Sequence, residues 1–221
     1  MELVKGSTSL VLLGIWNPAI LNPDWLARHA FGKKETNEVP VTLEFTPFPG
    51  LPPRLTIEGI VIQPGRTRVV ITLPQQVGNE ELDKAERVAG ALFRELPHTP
   101  IQAVGQNFEF IESAPAEEQL RIFDSANDLP GKCDFRFDTT SQRLVVTIEF
   151  EGRTLNLTRT IANGQLTVSF NFHYVVTSAV AAAEKITGNH SLKQNQQHAL
   201  KIIRSLYGVD LTAPQEEVAH A

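Results

Sequence analysis

The chain has six histidines, His29, His98, His173, His190, His198 and His220, and a single thiol, Cys133. No pair of histidines forms His-Glu-x-x-His, and no Cys/His cluster has the spacing of a zinc site. His190 and His198 fall two helical turns apart, so one helix cannot bring both to one ion. No metal is expected. A lone cysteine allows no disulfide within the chain, and the parity of Cys133 places it beside Phe135 on a buried strand face rather than at a nucleophile's post. Neither glycine-rich phosphate loop is present, nor is a Gly-x-Ser-x-Gly elbow, so no cofactor is expected.

Five residues remain as binding candidates. Arg159 falls on the apolar parity of its strand, where a guanidinium is either a snorkelling edge residue, an inward charge that discourages aggregation, or the anion-binding group of a cavity mouth. Asn171 and His173 fall on the opposite, polar parity, with Asn156, Thr158, Thr160, Thr167 and Ser169. That set is either a solvated sheet face or a flat recognition surface, and His173 is its most readily titrated member. Trp16 and Trp25 flank two Asn-Pro steps and are either core residues under a stiff loop or interface anchors.

The elements that must position these residues follow from periodicity. Ser7 to Ile15 reads as a strand, and Asn22-Pro23-Asp24 opens a short helix that Gly32 ends. Val41 to Phe45, Arg54 to Ile62 and Val69 to Leu73 read as three strands, the middle one with a bulge at Gly59 where its apolar parity switches. Leu82, Ala85, Ala89, Leu92 and Leu96 recur at three- and four-residue steps, which predicts a helix from Asn79, its cap, to Leu96. A strand from Thr99 to Ile111, carrying the unusual run Gly105-Gln106-Asn107-Phe108, and a short helix after Pro115 come next.

Cys133 to Tyr174 predicts a four-stranded antiparallel meander. Asn163-Gly164 and Glu151-Gly152 are two-residue turns, and Thr139 to Gln142 is a four-residue loop. These registers pair Ile161 with Leu166, Leu157 with Phe170, Leu155 with Phe172, Ile148 with Leu155, Val146 with Leu157, Phe137 with Leu144 and Phe135 with Val146. An alanine-rich helix from Thr177 to Ile186 and an amphipathic helix from Asn189 or Ser191 to Tyr207 close the pattern. The second has a stripe of Leu192, Ala199, Ile202, Ile203 and Leu206 that Asn195 interrupts.

The expected fold class is α+β, an antiparallel sheet or sheets with helices packed on one face. Its candidate divisions are an N-terminal half over 1–126, a meander with C-terminal helices over 127–209, and a flexible acidic tail over 210–221. The halves form either one domain or two similar units related by pseudo-twofold symmetry. Hydrophobic residues at 42% and charged residues at 20% exclude general disorder, and a net charge of -5 excludes a polycation built for DNA. Only Lys185 to Arg204 is locally basic, so nucleic acid is an unfavoured partner. No apolar run approaches the ~20 residues of a membrane span, and the start of the chain, where Glu2 and Lys5 cancel, does not read as a leader. The expectation is a cytoplasmic, non-catalytic binding or assembly protein that takes a protein partner or self-associates. The alternatives are a small hydrolase or isomerase with a site between the halves, and a nucleic-acid binder using the basic C-terminal helix.

Overall fold

The computed structural model describes residues 1–34, 39–45, 53–73, 78–124, 140–187 and 191–208. Their strands join in one ten-stranded sheet. In chain order these are β1 (Glu2–Leu3), β2 (Ser9–Gly14), β3 (Val41–Glu44), β4 (Arg54–Ile57), β5 (Ile60–Pro64), β6 (Arg68–Thr72), β7 (Ile101–Glu112), β8 (Ser141–Phe150), β9 (Arg153–Ala162) and β10 (Gln165–Val175). Across the sheet the order is β3-β4-β5-β6-β2-β7-β10-β9-β8, with β1 also on β7, and every pairing is antiparallel. On one flank β2 is followed by β6, β5 and β4, and on the other β7 is followed by β10, β9 and β8. This is a likeness of connectivity, and a pseudo-twofold axis is not established by it.

Three tight hairpins build the flanks. Their turns are Glu58-Gly59, Glu151-Gly152 and Asn163-Gly164, with both central residues at positive φ in each case (48° and 79°, 48° and 73°, 52° and 75°). This is the type I′ geometry, whose twist matches that of the strands it joins. The register of β8, β9 and β10 is the expected one: Ile161 faces Leu166, Leu157 faces Phe170, and Ile148 faces Leu155.

Several expectations need correction. The stretch from Arg54 to Ile62 is not one bulged strand; the chain reverses at Glu58-Gly59, and Ile57 lies opposite Ile60. The parity switch there is what a two-residue turn produces, since the chain comes back with the same face inward. Helix α2 (Asn79–Glu95) has Gly78 at its N-cap, so Asn79 is its first residue and not its cap. Ser141 and Gln142 are already strand, opposite Ala162 and Ile161, rather than loop. The expected first strand of the meander, with Cys133, Phe135 and Phe137, lies outside the described residues, as do the tail and most of the Phe48–Pro53 turn.

Helices pack on one face of the sheet. Helix α1 (Pro23–Trp25) is capped by the Asn22 side chain, which accepts from the Trp25 amide at 3.0 Å, and it runs on into a π-helical turn over Leu26–Ala30. Helix α3 is Glu117–Asp124, α4 is Ala179–Thr187 and α5 is Ser191–Tyr207. α2 buries Leu82, Ala85, Val88, Ala89, Leu92 and Phe93, and it meets α4 closely at Gly90, where a Cβ would lie 2.4 Å from the Thr187 methyl. Against these helices the sheet presents Leu10, Leu12, Ile62, Ile71, Phe108, Phe110, Phe170 and Phe172, all buried. Phe108 meets Phe172, and Phe110 meets Phe170, edge to face with centroids 6.1 and 5.8 Å apart. Among the described residues no helix is long and apolar enough to cross a membrane.

Candidate recognition face and the buried polar network

The other face of the sheet is polar, and its side chains are joined. Thr147 on β8 donates to the Asn156 carbonyl oxygen on β9 at 3.0 Å, and the Asn156 amide donates to Asn171 on β10 at 3.2 Å. Asn171 in turn donates to Asn107 on β7 at 2.7 Å, and Asn107 donates to the Ser9 hydroxyl on β2 at 3.1 Å. One hydrogen-bonded chain therefore crosses five strands. Beside it the Ser169 hydroxyl donates to Glu109 at 2.8 Å. Asn107, Glu109, Arg143, Val145, Asn156, Thr158, Ser169 and Asn171 line an open concavity of about 620 Å³.

The alternation of strands explains the arrangement. Asn107 and Glu109 share one parity of β7 while Phe108 and Phe110 take the other, and antiparallel pairing sets Asn107 directly opposite both Asn171 and Ser9. Gly105 leaves room beside the chain: a Cβ there would come within 3.1 Å of the Asn171 amide nitrogen.

Of the five candidates, Asn171 lies in the middle of this chain of amides, and His173 sits on the same face, opposite Gly105 and Thr154. Arg159 is on the helix-covered face, level with Val168 and Leu144, and is only 9% exposed. It lies beside Tyr207 of α5, whose phenol is pushed up by burial despite that cation. Arg159 and His173 therefore do not converge on one site. Trp16 is core: it is 4% exposed, donates to the Leu12 carbonyl at 3.0 Å and packs on Phe93. Trp25 is half-buried and stacks on His29 with centroids 4.8 Å apart.

A second polar cluster lies under the helices. Glu86 on α2, 4% exposed, accepts from the Leu192 amide at 2.5 Å and from the Ser191 hydroxyl at 3.0 Å, which anchors the first turn of α5. Gln106 donates to Ser191 at 2.7 Å and accepts from Asn195 at 2.6 Å; Asn195 also donates to the Tyr174 hydroxyl at 2.8 Å. Asn195, the polar residue that interrupts the α5 stripe, is thus buried and bonded on the sheet side of the helix. It ties α5 to the sheet, and the apolar stripe is spent on the core, with Leu192, Ala199 and Ile203 buried and Leu206 left 47% exposed.

Next to this cluster Arg153 lies over Phe150, 4.7 Å from the ring centroid, and its Nη2 is 3.0 Å from His198 Nδ1. A guanidinium only donates, so Nδ1 must accept, and burial together with the Arg153 cation holds the imidazole below its usual pKa.

Asn107 and Ser9 were not among the sequence candidates, because the pairing of β7 with β2 and β10 is long-range, and Thr147 was passed over although the local β8–β9 hairpin sets it opposite Asn156. The alternation of Asn107 and Glu109 with Phe108 and Phe110 was the available signal. Glu86 was visible as a carboxyl inside the helical stripe of Leu82, Ala85 and Ala89. Among the described residues no group of three His, Cys, Asp or Glu could hold a metal ion. No family model matches the chain, and no curated protein matches it in sequence.

Proposed function

We propose that this protein works by binding, with the polar face of its sheet as the surface that recognises a protein partner and with self-association as part of its assembly. The observation that carries this reading is the chain of side-chain hydrogen bonds from Thr147 through Asn156, Asn171 and Asn107 to Ser9, set in the concavity. Amides held by their neighbours have little rotamer freedom left to lose when a ligand docks, and preorganisation of this kind favours binding. Each amide still offers unused donor and acceptor capacity at the spacing of β-strands, about 4.8 Å, which suits the polar groups of another polypeptide. The two residues first singled out as anchors, Trp16 and Trp25, are largely occupied by packing, so the polar face is the better candidate.

The test is affinity capture with the wild-type chain, with Asn171→Lys, which sets a long cation in the concavity, and with Lys201→Ala on the exposed side of α5 as a control. A partner held by the wild type and the control but lost with Asn171→Lys is the expected result. Equal capture by all three refutes the assignment of the face. Light scattering at several concentrations tests self-association, and a strict monomer counts against that part.

A further inference from the structure

The three type I′ turns share one backbone geometry and differ in chemistry at the first central residue. Glu58 and Glu151 hold that place in two of them, and Asn163 holds it in the third, between β9 and β10. Of all the asparagines in the chain, Asn163 alone is followed by glycine, and it is exposed. An asparagine side-chain amide can close a five-membered ring on the next backbone nitrogen, and glycine puts no side chain in the way. A glutamate would have to close a six-membered ring, and its carboxylate has no ammonia to lose.

The intact turn forbids this closure. The ring needs the Gly164 nitrogen on the same side as Cβ, eclipsed with it about the Cα–C bond of Asn163. A type I′ turn gives its first central residue ψ of about +30°, which with the tetrahedral offset at Cα sets the Gly164 nitrogen about 150° round that bond from Cβ. Nitrogen and Cγ therefore point apart. They meet only when ψ swings to about −120°, and that rotation breaks the turn's closing bond from the Gln165 amide to the Ala162 carbonyl, the pair that faces across the hairpin.

We propose that Asn163 is a deamidation site whose reaction is gated by opening of the β9–β10 turn. In the open turn the Gly164 nitrogen attacks Asn163 Cγ. The N–Cγ bond forms, the Cγ–Nδ2 bond breaks, and ammonia leaves with the proton of the Gly164 amide. Water then opens the succinimide. Addition at Cγ gives aspartate, and addition at the main-chain carbonyl carbon gives isoaspartate; neither step needs an oxidant or a reductant. The two products act differently on the sheet. Asp-Gly suits a type I′ turn, so the aspartyl form closes again. Isoaspartate carries the chain through Cβ and adds a backbone carbon, so the two-residue turn no longer sets Ala162 opposite Gln165. The hairpin that is loosened holds Asn156 and Asn171, the centre of the polar face.

The experiment follows the full chain and a capped synthetic peptide of residues 158–169 in warm, mildly alkaline buffer, by mass-spectrometric peptide mapping and isoaspartyl methyltransferase labelling. Hydrogen exchange of the Gln165 amide measures opening of the turn in the same buffer. The peptide is expected to react readily and the protein more slowly, by a factor within about threefold of the Gln165 protection factor. Urea below the unfolding transition should raise deamidation and exchange together. Asn163→Gly keeps a pair that suits the turn, so it should hold its urea midpoint and form no product there. The purified isoaspartyl form should unfold at lower urea than the aspartyl form. A protein that reacts as fast as the peptide, or that stays unreacted while Gln165 exchanges, overturns the gating. An unreactive peptide, or a first product at another asparagine, overturns the site. Equal midpoints for the two product forms overturn the consequence for the hairpin.

Discussion

Replacing Glu86 by alanine tests the buried polar network most directly. The carboxyl accepts the Leu192 amide and the Ser191 hydroxyl, and it is 4% exposed. The first amides of a helix have no partner within it, so removing an acceptor at this place strands a donor away from water. Loss of a capping oxygen costs about 0.5–2 kcal/mol, and a buried unsatisfied donor about 1–3 kcal/mol. These overlap for Leu192, while Ser191 keeps the Ile186 carbonyl within 3.2 Å as an alternative acceptor. The vacated volume adds to the loss. The sum is about 3 kcal/mol, which for a chain of this size lowers Tm by roughly 6–12 °C. Glu86→Gln keeps an oxygen in reach of the Leu192 amide and should lose less than half as much. The assay is urea unfolding followed by circular dichroism, with the midpoint falling at constant slope. If Glu86→Ala lies within about 0.5 kcal/mol of the wild type, below the usual effect of a lost cap, α5 does not depend on this anchor and the reasoning fails.

Acid should destabilise the protein in two separate windows. Hydrogen bonds from Lys33 and Lys84 hold the Glu58 carboxyl below its usual range, so the stability it contributes is complete above about pH 4.3 and is lost as pH falls through its lowered value. Burial and the neighbouring Arg153 hold His198 below its usual value, so the loss linked to it begins as pH falls below about 6.5. Unfolding midpoints measured against pH should lose the upper slope in His198→Gln and the lower one in Glu58→Gln; stability rising on acidification would contradict both. Gly152→Ala and Gly164→Ala, at φ of 73° and 75°, should each cost about 1–2 kcal/mol in the same assay, and a neutral result would mean that the hairpins do not depend on a left-handed second turn residue.

Much of the architecture was legible because local rules agreed with one another. The alternation of β9 and β10 and the Asn163-Gly164 turn gave one register, and the chain adopts it. The same logic misread Glu58-Gly59, although Glu151-Gly152 had been taken as a turn on identical residues. At Gly59 the apolar parity switches, which a bulge and a hairpin both produce; only the pairing of Ile57 with Ile60 decides between them. The recognition face was half legible. Asn156 and Asn171 sit in one hairpin, so their proximity follows from a local turn. Asn107 and Ser9 join them through strands brought together across almost half the chain, and no local signal encodes that. Arg159 was placed on the covered face by parity alone, and there it lies.

The junction of β2 with β7 carries a consequence for how the molecule forms. Each hairpin can close over a few residues, but Ser9 must find Asn107, and β10 must then find β7. Closing such long loops costs entropy before any contact repays it, and contacts of wide sequence separation slow folding. During synthesis β2 leaves the ribosome long before either of its neighbours is finished. Until β7 arrives, the side of β2 that it will occupy is an open template, and the nascent chain is then most exposed to mispairing.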